Sequence, residues 1–206
     1  MVIRESSCVE TTFFNDKQKT NDMKKITLFL MSLTLVGLTA CAQKNTQDMK
    51  TTKTLVAYFS ATGTTHKVAQ QIAQATGGRL YPIRPEQPYT DADLDWTDKS
   101  SRSTLEMQDP ASRPAIVMEL HEKDMKDYDT LFIGFPIWWN VAPHAVNTFI
   151  ESYDLSGKVL IPFATSGSSS ISNSVKELKK AYPDYNWQEG KLLNGDPKAE
   201  VEKWLK

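Results

Sequence analysis

The chain has 206 residues, 40% of them hydrophobic and 10% aromatic, and its 24 basic and 25 acidic side chains give a formal charge of −1. That composition excludes a disordered or low-complexity chain and makes one globular domain the expected organisation. With no surplus or cluster of Lys and Arg there is no electrostatic footprint for a phosphate backbone, so no nucleic-acid partner is expected.

Residues 1–22 are polar and patternless, and the sequence leaves open whether they are a long leader or translation from a start codon upstream of Met23. From Met23 the chain reads Lys24-Lys25 and then an apolar stretch from Ile26 to Ala40, which is a basic region followed by a core too short for a comfortable membrane span. The expectation is a secretion signal over 23–40. It ends in Leu38-Thr39-Ala40-Cys41, which resembles the lipobox of bacterial lipoproteins and implies lipidation of Cys41, membrane anchoring and an extracytoplasmic location. Removing residues 1–40 takes away five basic and four acidic side chains and leaves the remainder at −2. The only other cysteine, Cys8, is lost with them, so neither a disulfide framework nor a zinc site is indicated. Residues 41–53, polar and without apolar periodicity, read as a flexible tether ahead of a domain over 54–206.

Within that domain short apolar runs alternate with helical patterns, the arrangement of βαβ units and a parallel sheet covered on both faces. Leu55–Phe59 is an unbroken apolar run and reads as a central strand. A helix is expected over Thr64–Thr76, and a second strand over Arg79–Ile83. The stretch Arg84–Pro114 carries four prolines and many Asp and Ser, with helical patterning only around Ala92–Met107; a connection of this length is functional or mobile. Its Asp91, Asp93 and Asp95 read as a solvated loop, and Tyr89 and Trp96 as either a lid or core anchors. A polar helix ending near Lys126 precedes a third strand at Leu131–Phe135. Then come a helix over Ala142–Tyr153 with Pro143 in its first turn, and a fourth strand at Val159–Ala164, in which Pro162 would cost a central ladder one donor. A helix over Ser170–Tyr182, a fifth strand within Tyr185–Leu193 and a closing helix over Pro197–Leu205 complete a doubly wound α/β domain.

In such a sheet ligands lie beyond the carboxyl ends of the strands, where the winding reverses. The loop after strand one, Ser60-Ala61-Thr62-Gly63-Thr64-Thr65, is uncharged, holds four hydroxyls and runs straight into a helix, which suits a phosphomonoester. It has neither the Gly-Lys-Ser/Thr of a triphosphate loop nor GxGxxG. After strand three comes Pro136-Ile137-Trp138-Trp139-Asn140, whose paired indoles at a strand end suit a planar aromatic ligand; core packing accounts for one of them, and the sequence does not say which. After strand four, Thr165-Ser166-Gly167-Ser168 offers amides and hydroxyls to the edge of a heterocycle.

These three motifs in this order resemble the flavodoxins, specifically flavodoxin-like proteins with Pro-Ile-Trp-Trp after strand three and Thr-Ser-Gly after strand four. The resemblance covers Thr54 to the C-terminus and implies a five-stranded parallel sheet of order 2-1-3-4-5 with helices on both faces and a noncovalently bound FMN. It implies that Ser60–Thr65 grip the FMN phosphate, that Trp138 or Trp139 lies against the isoalloxazine, and that Thr165–Ser168 line its pyrimidine edge. Asn140 stands where many relatives have Gly beside the flavin, no tyrosine follows strand four to cover the outer flavin face, and the charge lacks the acidity of electron carriers. The expected function is therefore an FMN oxidoreductase passing electrons or hydride to a small acceptor such as a quinone. A single-electron carrier between protein partners and a non-enzymatic flavin-binding lipoprotein are the alternatives. His66, His121 and His144 are isolated, no GxSxG is present, and no residue is assigned a catalytic acid, base or nucleophile role.

Overall fold

The computed structural model describes residues 53–206, so the signal segment, Cys41 and all of the tether before Lys53 lie outside the described residues. Chain order is β1 (Thr54–Tyr58), α1 (Thr64–Thr76), β2 (Arg79–Pro82), α2 (Arg102–Gln108), α3 (Glu122–Met125), β3 (Thr130–Pro136), α4 (His144–Glu151), β4 (Val159–Thr165), α5 (Ile171–Ala181), β5 (Asn186–Trp187), β6 (Lys191–Leu192) and α6 (Pro197–Trp204). The sheet runs β2-β1-β3-β4-β5, with β6 also pairing β4, and every pairing is parallel. This is the expected 2-1-3-4-5 order.

Alternate residues of the central strands feed two separate cores. Leu55, Ala57, Leu131, Ile133 and Phe135 pack with Val146, Phe149 and Ile150 of α4 and Val175 and Leu178 of α5. Val56, Tyr58 and Phe132 pack on the other face with Val68, Ala69 and Ile72 of α1 and Val201 of α6. Burial on both faces is why these strands read as continuous apolar runs.

Most boundaries move by one or two residues from expectation, and three of the differences have a physical cause. Pro143 is the residue before α4 instead of lying in its first turn. Helix α5 begins one residue late because Ser170 is its cap, accepting from the Ser172 N–H at 3.2 Å. Helical structure in the long connection is confined to the seven residues of α2, because turns take the earlier part: the carboxylates of Asp93, Asp95 and Asp98 accept from the backbone N–H of Thr90, Thr97 and Ser100.

The expected fifth strand is two short ones, and Pro162 explains the break. Along β4, the Val159 N–H donates to Asp129 on the β3 side, whereas the Leu160 and Ala164 carbonyls accept from Gln188 and Leu193 on the outer side. Bonding direction alternates along a strand, so Pro162 turns toward the outer side, where it has no N–H to give. β5 ends before this level and β6 begins after it. Gly190 fills the gap at close quarters, since a Cβ there would come within 2.6 Å of Val175.

Candidate functional site

The three loops singled out in the sequence converge at the carboxyl ends of β1, β3 and β4. A buried hydrogen bond of 2.9 Å joins the Thr65 and Thr165 hydroxyls, and the Ile137 N–H donates to the Thr165 carbonyl at 2.9 Å.

The first loop owes its shape to Gly63, which precedes α1 at φ 85°, a left-handed conformation that costs a Cβ-bearing residue. Ser60 Oγ accepts from the His66 N–H at 3.3 Å, and no acidic side chain lies in the first turn of this 13-residue helix. The positive end of α1 therefore opens onto hydroxyls and amides, which is the chemistry that holds an anion. Ser60, Ala61, Thr62, Thr64 and Thr65 line a pocket of about 140 Å³ closed by Leu94, Pro136 and Trp138.

The second loop is a two-residue turn. Trp138 and Val141 exchange N–H to carbonyl bonds of 3.0 and 2.9 Å, while Trp139 and Asn140 between them sit at φ 44° and 69°. Such primed turns need positive φ at both central positions and usually recruit Gly. Here Asn140 is held from outside: its carbonyl accepts from Asn173 Nδ2 at 3.1 Å and from Ser174 Oγ at 3.2 Å. The turn separates the two indoles. Trp138 packs edge-on against Phe59 and Tyr89, each with centroids 5.4 Å away, whereas Trp139 stays 44% exposed.

The third loop is organised by Ser166. Its Oγ accepts from the Ser168 and Ser169 N–H groups at 3.3 and 2.8 Å, and its own N–H donates to Asn194 Oδ1 at 2.8 Å. With Ile137, Trp138 and Trp139, residues Ser166–Ser169 line a cleft of about 660 Å³. Neither this lining nor that of the small pocket includes an ionisable side chain. Gly63, Asn140 and Thr165 do not line the two cavities; they set the backbone that does.

The long connection adds Leu94, Trp96 and Ser103 to the lining of this cleft; the sequence singles out Trp96, as a lid or a core anchor, but not Leu94 or Ser103. Trp96 is itself 75% exposed where it lines this cleft. Leu94 and Trp138 border both cavities, which makes them adjoining compartments. The connection is fastened to the sheet through Tyr89. Its ring meets Trp138 and Phe59, Arg102 lies 4.1 Å above it, and its hydroxyl bonds Glu106, which also takes the Arg102 Nε at 2.7 Å. Burial, followed by the Glu106 carboxylate, pushes the Tyr89 hydroxyl far above its ordinary pKa, so it stays protonated as a donor. The alternating Asp and Ser/Thr pattern over 90–104 was the available signal, since each pair is a turn and together they make a folded wall.

A flavodoxin family model matches residues 53–206. Among solved structures, a candidate flavoprotein from Bacteroides uniformis is 58% identical, with a TM-score of 0.72 over 75% of this chain and 97% of that one. A second, from Bacteroides eggerthii, is also 58% identical, with a TM-score of 0.70 over 74% and 95%. A flavoprotein from Lactobacillus acidophilus, solved in complex with FMN, is 23% identical, with a TM-score of 0.60 over 75% and 99%, a likeness of fold. No curated protein matches the chain.

Proposed function

The chain belongs to the flavodoxin family, and on that premise we propose that it binds FMN across the two adjoining compartments and works as an oxidoreductase delivering electrons or hydride to a small acceptor such as a quinone. The observation that carries this reading is the junction at Leu94 and Trp138. It connects an uncharged, amide-rich pocket at the α1 N-terminus to a larger cleft walled by indoles.

The residues fit the group. The phosphate belongs at Ser60–Thr65, where helix amides and the hydroxyls of Ser60, Thr62 and Thr64 replace a cation. Thr65, whose hydroxyl is paired with Thr165, contributes backbone. The ring would lie in the larger cleft, where Trp139, Trp96, Ile137 and Trp138 would shelter it and Ser166, Gly167 and Ser168 would offer polar contacts, while Pro136 borders the smaller pocket. Bound FMN supplies the electron-transfer chemistry, while the protein binds, orients and excludes water. No ionisable side chain is required in the lining. A near-neutral surface lacks the field that steers a charged partner, which favours a small acceptor over a carrier role. The exposed indoles of Trp96 and Trp139 are the feature that would serve a docking protein instead. We extend the proposal to the N-terminus: lipid on Cys41 would hold this domain at a membrane where quinones dissolve.

Two measurements test the reading. Purified protein should be yellow, release FMN on denaturation and quench added FMN once stripped. Mixing with NAD(P)H and a quinone should bleach and restore the flavin. Stripped protein that never quenches FMN overturns the proposal.

A further inference from the structure

We propose that Ser103 is a polar contact of the flavin ring, a hydroxyl from the long connection that donates to an acceptor on the ring's edge. The inference rests on the FMN reading above and adds a residue outside the three strand-end loops. Ser103 is only 2% exposed, and its Oγ is one of two fully buried side-chain polar atoms without a hydrogen-bond partner among the described residues. Such an atom is costly unless something satisfies it.

The neighbourhood makes the exception pointed. Every other hydroxyl of the connection over 90–104 is bonded: Thr90 to Asp93, Thr97 to Asp95, Ser100 to Asp98, Ser101 to Thr104, and Thr104 to the Asp98 carbonyl. The Ser103 N–H is also satisfied, by the Asp93 carbonyl at 3.0 Å. Ser103 alone is left over, and it belongs to the lining of the cleft together with Trp138 and Ser166. An occupant of that cleft can supply the partner once the hydroxyl turns toward it about χ1. With no ionisable side chain in the lining, a hydroxyl that can turn about one bond is a suitable donor to a neutral heterocycle.

The test uses the full chain stripped of flavin, as wild type, Ser103→Ala and Ser101→Ala, read by flavin-fluorescence quenching and thermal unfolding. Ser103→Ala should weaken FMN binding about 3- to 10-fold, the loss of one neutral hydrogen bond. Riboflavin, which has the ring but no phosphate, should lose the same factor. The flavin-free Ser103→Ala protein should unfold no earlier than wild type, because no protein bond is lost, whereas Ser101→Ala should unfold earlier. Unchanged flavin affinity, a loss confined to FMN, or an earlier unfolding of stripped Ser103→Ala would each overturn the assignment. A wild type that quenches no flavin would instead overturn the FMN reading on which it stands.

Discussion

Thr65 and Thr165 lie 100 positions apart in the chain and share a buried 2.9 Å hydrogen bond. One is in the first turn of α1, the other ends β4, and both are nearly sealed from water. The bond ties the start of α1, after the first strand-end loop, to the start of the loop after β4.

Thr165→Val keeps the shape but leaves the Thr65 hydroxyl buried alone, and should cost about 1–3 kcal/mol. Thr65→Val/Thr165→Val together should cost less than the sum of the two single changes. Urea midpoints for the four proteins give the coupling, and strict additivity would show that the pair is not bonded.

The indoles should separate by function. Trp138→Ala removes the partner of Phe59 and Tyr89, and should destabilise by about 2–4 kcal/mol. Trp139→Gly removes an exposed ring from a position at φ 44°, so its Tm should be unchanged or higher while FMN affinity falls. Equal loss of stability in both would contradict the assignment of Trp138 to the core.

Asn140 should respond to backbone preference more than to its amide. Asn140→Ala places a Cβ residue without local hydrogen bonding at φ 69° and should lose about 1 kcal/mol, whereas Asn140→Gly should lose little. Thermal unfolding of both variants distinguishes them, and an equally destabilised Gly variant would point to the side chain.

His144 should make the fold sensitive to mild acid. Burial and then the Arg113 guanidinium hold its pKa below 6.5, against weaker opposing effects from Glu106 and Asp109. The unfolded chain therefore binds this proton first, so the contribution is whole above about pH 6.5 and is lost as pH falls below it. Glu151, whose carboxyl is held below the usual range mainly by its bond to Arg113, loses its contribution only in more acidic solution, below about 4.5. Tm measured from pH 7.5 to 5 should fall in wild type and fall less in His144→Gln. Parallel curves would remove His144 as the cause.

The order of strands and helices, the two-faced burial of β1 and β3, and the three strand-end loops were legible in the sequence because periodicity and turn chemistry act within a few residues. The loop before α1 was legible for the same reason: hydroxyls and one glycine at a helix start are a local pattern. Partner choice at long range was not legible. Which indole packs against the core depends on Phe59 and Tyr89, far from Trp138 in the chain, and the divided edge of the sheet depends on which way Pro162 turns. Leu94 and Ser103 sit in a stretch with weak periodicity, so no window around them reveals that they line the same cleft as Trp138. The chain's own chemistry determined the elements and their order. Only folding decided which distant surfaces meet, because burial and pairing belong to the assembled layers and to no single segment.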